Sequence, residues 1–153
     1  MKIAWLYDSP LTIHAFIASM DLRGFSNTVH THLDTAVEDF MTNQYSLIAM
    51  GSEIVPGNYS NKTINDLLLK RDTLVHCQIA LHALSMLRSK DSANSKTPTI
   101  ILGSYDPELS TFFPHVEKEY QKAGATRYVH IHSPRFTFQE FYHDLEALAK
   151  KSA

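Results

Sequence analysis

Five short runs rich in apolar and β-branched residues alternate along this chain with stretches whose apolar residues recur at helical spacing. That alternation predicts a parallel sheet with helices on both faces. The strands read as residues 2–7, 28–33, 45–50, 97–102 and 127–132. The third, Tyr45-Ser46-Leu47-Ile48-Ala49-Met50, is apolar almost throughout, which suits a central strand buried on both faces. Five strand-helix units in this order predict a doubly wound α/β fold, a five-stranded parallel sheet with strand order 2-1-3-4-5.

The helical stretches carry their own signals. Ser9 can cap a helix with Pro10 at its first position, and Ile13, Phe16, Ile17 and Met20 share one face before Gly24 stops it. Thr35 with Glu38, and Thr137 with Glu140, match the capping-box pattern ahead of a second and a final helix. Residues 63–89 read as one long helix or two in series. A further helix is predicted from Asp106-Pro107, carrying Leu109, Phe112, Phe113, Val116 and Tyr120, with Pro114 kinking or splitting it. The expected tally is five strands and five helices.

A chain of 153 residues can bury a sizeable core as one domain, here expected over residues 1–153 with an extended region at about 57–96. Fourteen Lys and Arg against sixteen Asp and Glu leave a net charge of -2, too weak a field to gather nucleic-acid phosphates, so no direct nucleic-acid contact is expected. No apolar run approaches a membrane span, and residues 1–8 lack the basic leader and long apolar core of a secretory signal. A cytoplasmic protein with no membrane association is expected. Cys77 is the single cysteine and sits in an amphipathic helical stretch, where a small buried residue is the expected role. Asn58 and Asn61 match the glycosylation pattern but read as plain loop residues.

In such a sheet ligands gather at the carboxyl ends of strands one, three and four, which places Asp8, Gly51 to Ser52 and Gly103 to Ser104 at the candidate site. Tyr7-Asp8 after the first strand, the 45–50 strand with Pro56-Gly57 after it, Gly124-Ala125 before the fifth strand and Ser133-Pro134 after it resemble a receiver domain. Receivers are the phospho-accepting modules of two-component signalling, and the resemblance covers almost the whole chain. It implies two adjacent acids holding magnesium, an acceptor aspartate after the third strand, a Thr or Ser after the fourth, and a lysine before the final proline.

The chain departs from that set at the positions that matter for charge. Tyr7 replaces the first acid and leaves Asp8 alone; Gly51 or Ser52 stands at the acceptor position; Ser133 stands where the lysine would precede Pro134. A serine hydroxyl needs a base, whereas the acceptor aspartate is already ionised, so phosphotransfer is expected to be absent. The expectation is a non-catalytic receiver-like module without cofactor or metal. It would act through protein partners, as a homodimer through the face that receivers build from their fourth helix, fifth strand and fifth helix.

Other constellations point elsewhere. His30-Thr31-His32 and His130-Ile131-His132 each place two imidazoles on one strand face, but the predicted order puts them on opposite sheet edges, about 19 Å apart, which excludes one shared metal site. The aromatic-rich last third should be mostly core, yet Phe136, Phe138 and Tyr142 cannot all hide behind one helix face, so they are candidates for a partner surface. The alternative function is a flavodoxin-like ligand binder or enzyme using the cleft around Asp8, Ser52 and Ser104. No phosphate-cradling glycine motif supports it.

Overall fold

The computed structural model describes residues 1–70, 72–111 and 113–152. Strands β1 (Lys2–Leu6), β2 (Ser26–His30), β3 (Leu47–Gly51), β4 (Thr99–Gly103) and β5 (Arg127–His130) form one sheet. All four pairings are parallel and the order is β2-β1-β3-β4-β5, as the sequence predicted. The helices are α1 (Pro10–Leu22), α2 (Leu33–Thr42), α3 (Lys62–Leu69), α4 (Val75–Leu87), α5 (Val116–Lys122) and α6 (Phe138–Lys151). The described residues therefore hold six helices, because the 63–89 stretch contains both α3 and α4.

β3 and β4 are buried at every position, so their side chains alternate between two cores. On one face Ile3, Trp5, Leu47, Ala49, Ile100 and Leu102 pack against Ile13, Phe16 and Met20 of α1 and Phe141 and Leu145 of α6. On the other, Ala4, Leu6, Ile48, Met50 and Ile101 meet α2, α4 and Tyr120 of α5. No helix among the described residues is long and apolar enough to cross a membrane.

Two helix ends follow directly from glycine. Gly24 (φ +81°) and Gly124 (φ +107°) take the left-handed conformation after α1 and α5. In each case the glycine N–H and the next N–H close back on the last turn: Gly24 on Asp21 and Phe25 on Met20, Gly124 on Gln121 and Ala125 on Tyr120. The α6 start also follows its signal, with Thr137 accepting from the Glu140 N–H.

Several boundaries differ from the sequence reading, each for a local reason. Among the described residues of the helix expected from Asp106-Pro107, those before Val116 form turns and bends, and Val116–Lys122 is helical. The Asp106 carboxylate accepts from the Glu108 and Leu109 amides, Pro114 has no N–H to donate, and His115 sits in the left-handed region at φ 61°. Leu109 is thus exposed, while Phe112 lies outside the described residues. The capping box at Thr35 is not formed. α2 begins three residues earlier, with His32 in the cap position, its first amides donate to Val55 and Pro56 carbonyls of the loop after β3, and the Thr35 hydroxyl donates to the His32 carbonyl. Ser9 occupies the N-cap position of α1 without a side-chain capping bond. β2 and β5 end at His30 and His130, so His32 and His132 lie beyond the strands and neither histidine pair shares a strand face.

The 57–96 stretch holds α3, α4 and a polar linker pinned from within. Asn94 is fully buried: its amide donates to the Phe40 and Asn43 carbonyls, and its oxygen accepts from the Tyr45 N–H and the Thr97 hydroxyl. Asn61 caps α3 by accepting from Ile64 N–H.

Candidate functional site

The parallel register sets Leu6 beside Met50 and Gly51 beside Leu102, so the residues just past β1, β3 and β4 converge at one sheet end. Tyr7 is the first of them. Its side chain is buried and its ring lies against the Gly51 backbone: a Cβ added at Gly51 would stand 3.1 Å from Tyr7 Cδ2 and 3.1 Å from the Glu53 carbonyl. A side chain at position 51 would need these neighbours to give by a few tenths of an ångström. Burial, aided by the nearby charges of Asp8 and Glu53, raises the pKa of the Tyr7 hydroxyl.

Ser52 is 1% exposed and fully engaged. Its N–H donates to Leu102 O, its hydroxyl accepts from the Ser104 N–H at 3.2 Å, and its carbonyl accepts from the Tyr120 hydroxyl. This serine ties β3 to β4 instead of presenting a nucleophile. At β4 the crowding is greater, since a Cβ on Gly103 would fall 1.9 Å from the Tyr128 ring and hydroxyl. Tyr128 stacks on Tyr120 at 5.8 Å and donates to the Tyr105 carbonyl at 2.8 Å. The Tyr105 hydroxyl in turn donates to Glu53 Oε1 at 2.9 Å. Burial above all raises the pKa of Tyr105, Tyr120 and Tyr128. Cys77, beneath this network, is 1% exposed, and burial pushes its thiol up to about 12, so it is the inert core residue expected.

The structure thus joins Tyr7, Asp8, Gly51, Ser52, Gly103 and Ser104, with the tip filled by aromatic rings. Ser133 and Pro134 belong to a different cleft, lined also by Asp106, Pro107, His130 and Arg135. There the Ser133 N–H donates to His130 O, and its hydroxyl accepts from the Arg135 N–H. Asp106 is held below the usual aspartate range, first by the amides of Glu108 and Leu109, with His130 at 3.8 Å and Arg135 adding to the effect. The two histidine-bearing strands occupy opposite sheet edges, as anticipated, and His30 bonds Asp39 at 2.7 Å.

Glu53 is the site residue that sequence reasoning missed. It is the only carboxylate between the end of β3 and Pro56, and that position was its available signal. A divalent ion held by acids at this tip does not fit the residues present. The Tyr7 ring covers the end of β3, the carboxylates whose charges act on that ring are Asp8 and Glu53, and Glu53 is committed to Tyr105. Among the described residues no three His, Cys, Asp or Glu side chains come together to hold a metal.

Phe136, Phe138 and Tyr142 gather around Phe16 of α1, with ring centroids at 6.0, 5.6 and 6.4 Å. Phe138 is 53% exposed although it opens a helix whose inner face is core, and Tyr142 donates to the Ala15 carbonyl while Arg23 sits 4.7 Å over its ring.

No protein-family model matches the chain, and no curated protein matches it. Solved structures do. The Francisella response regulator 1452 receiver domain superposes with a TM-score of 0.67 at 20% identity, covering 99% of this chain and 98% of that one. The receiver domain of sensor histidine kinase PA1611 from Pseudomonas aeruginosa gives 0.64 at 15% identity, covering 97% of each chain; it was solved with a magnesium ion coordinated in its active-site cleft. HP1043, an orphan response regulator of H. pylori, gives 0.65 at 13% identity, covering 97% of this chain and 96% of that one. The class is therefore a doubly wound α/β protein with strand order 2-1-3-4-5. Within that class, the fold is that of the response-regulator receiver.

Proposed function

We propose that this chain is a non-catalytic receiver-fold module of signal transduction or transcription regulation, one domain that acts by binding protein partners in the cytoplasm. The observation that carries the reading is the packing of the Tyr7 ring on Gly51, which crowds one of the two positions where an acceptor carboxylate would stand. The serines nearby do not restore that chemistry: Ser52 is buried and bonded, and Ser133 faces another cleft. A transferring phosphoryl group spreads negative charge over its oxygens and needs a metal and a cation to balance it; the tip offers tyrosines in their place. The exposed Phe138, with Phe136 and Tyr142, suits a partner surface, and the α5, β5 and α6 face is a second candidate. The weak net charge favours no nucleic acid contact.

Incubation with magnesium and acetyl phosphate, followed by intact mass, tests the reading. An unchanged mass is expected. A stoichiometric, labile phosphate adduct refutes it.

A further inference from the structure

α1 carries two apolar faces. The inner one, Ile13, Phe16 and Met20, is buried in the core. At 100° per residue, Leu11, Ala15, Ala18 and Leu22 fall on the opposite side of the helix, the side turned to solvent. Leu11 is 87% exposed and Leu22 90%, Ala15 is exposed and Ala18 half-buried. No Asp, Glu, Lys or Arg occurs from Pro10 to Met20. A surface helix ordinarily turns a polar face to water; this one is apolar on both sides while only one side is covered.

The outer stripe has the spacing of a helix-helix seam. Its steps of four, three and four residues are those of the seam positions in paired helices, and the central alanines allow two backbones to approach to about 8 Å. The stripe also reads alike in both directions: 11 and 22, and 15 and 18, lie at equal distances from the midpoint between Phe16 and Ile17. A twofold interface needs such a pattern, because where residue i meets residue j, j must also meet i. Laid antiparallel on a second copy, Leu11 meets Leu22 of the partner subunit, Ala15 meets Ala18 of the partner subunit, and His14 faces Ser19 of the partner subunit. No like charges are opposed along the seam. Phe138 and Tyr142, packed beside Phe16, extend the apolar surface on the α6 side.

We propose that two copies of this chain associate through α1, antiparallel, with Leu11 and Leu22 as the anchors. The seam spans only about 16 Å, short for the ~800 Å² per partner of a standard interface, so the dimer forms with rising concentration. This inference stands apart from the reading of the sheet tip: the phosphate assay reads one end of the sheet and self-association reads the outside of α1, so each can fail alone.

The test is sedimentation equilibrium of the full chain over a wide concentration range. The wild type is expected to pass from monomer to dimer, and L11E or L22K alone is expected to weaken association at least about tenfold, a loss of about 1.4 kcal/mol. Both positions face solvent, and far-ultraviolet circular dichroism with a melting curve verifies that each variant folds. The double variant L11E/L22K is the decisive one, since antiparallel pairing sets each introduced acid against an introduced base and restores the dimer. A double variant that stays dissociated overturns the antiparallel register. A wild type that stays monomeric throughout, or a dimer indifferent to both single changes, overturns the interface. Monomeric protein that binds phosphatidylglycerol vesicles through Leu11 overturns it in favour of a lipid surface.

Discussion

A glycine that ends a strand lets a ring lie directly on the backbone, and the sheet tip uses this twice, with Tyr7 on Gly51 and Tyr128 on Gly103. The second contact is the tighter, so Gly103→Ala must drive the Tyr128 ring off its stack with Tyr120. Overpacking of this kind costs about 1–3 kcal/mol, and urea unfolding should show the midpoint falling with little change in slope. Asp39 offers a second residue-scale expectation. Burial alone would raise its carboxyl, but hydrogen bonds from Tyr45, Asn43 and His30 hold it below its ordinary value. A carboxyl depressed in the folded state contributes stability above its unfolded pKa and loses that contribution as the pH falls through the folded one. Stability should therefore decline on the acid side, starting near the ordinary aspartate range of about 4, and Asp39→Asn should flatten that limb. Chemical denaturation repeated across the acid range checks the slope.

At the scale of elements, Arg88 joins four pieces of the chain. Placed just after α4, it donates to the Gly124 carbonyl at 2.9 Å, the Asn94 carbonyl at 3.1 Å and Thr99 Oγ1 at 2.8 Å. The end of α4, the turn after α5, the linker and β4 meet on one planar fork. Lysine keeps the charge but not the fork, so Arg88→Lys should lose about 2 kcal/mol. Hydrogen exchange should quicken at the linker and the α5–β5 turn before it does in β1 or β3. Placement of the loop after β3 is likewise a matter between elements: its Val55 and Pro56 carbonyls receive the first amides of α2, and the Asp34 carboxylate receives the Asn58 N–H. The helix start is set by a loop some twenty residues downstream.

For the whole molecule, the tyrosines make the sheet tip a reporter of global folding. Tyr7, Tyr105, Tyr120 and Tyr128 all have pKa values raised above 10. A group whose pKa is raised by folding gives stability that is fully present below its unfolded value and lost as the pH climbs through the folded one. Alkaline titration followed by tyrosinate absorbance should thus ionise the exposed tyrosines first. The buried set should follow in one steep step coinciding with loss of far-ultraviolet circular dichroism. Separate, gradual ionisation of the buried set with the fold intact would contradict the closed tip.

The sequence by itself determined the order of elements, the parallel sheet and the central place of β3, because apolar periodicity and glycine stops act over a few residues and need no distant partner. It also exposed what the tip lacks, since a missing carboxylate can be read from one position. Only the tertiary structure decided what fills that tip, that Glu53 answers to Tyr105 and that Ser133 faces a separate cleft. It also decided where α2 and α5 begin, because each rests on contacts between residues far apart in the chain or on turns that compete with a helix. The outer stripe of α1 was written in the sequence all along, but its meaning waited on the structure: an apolar residue is a core residue until the fold leaves it in water.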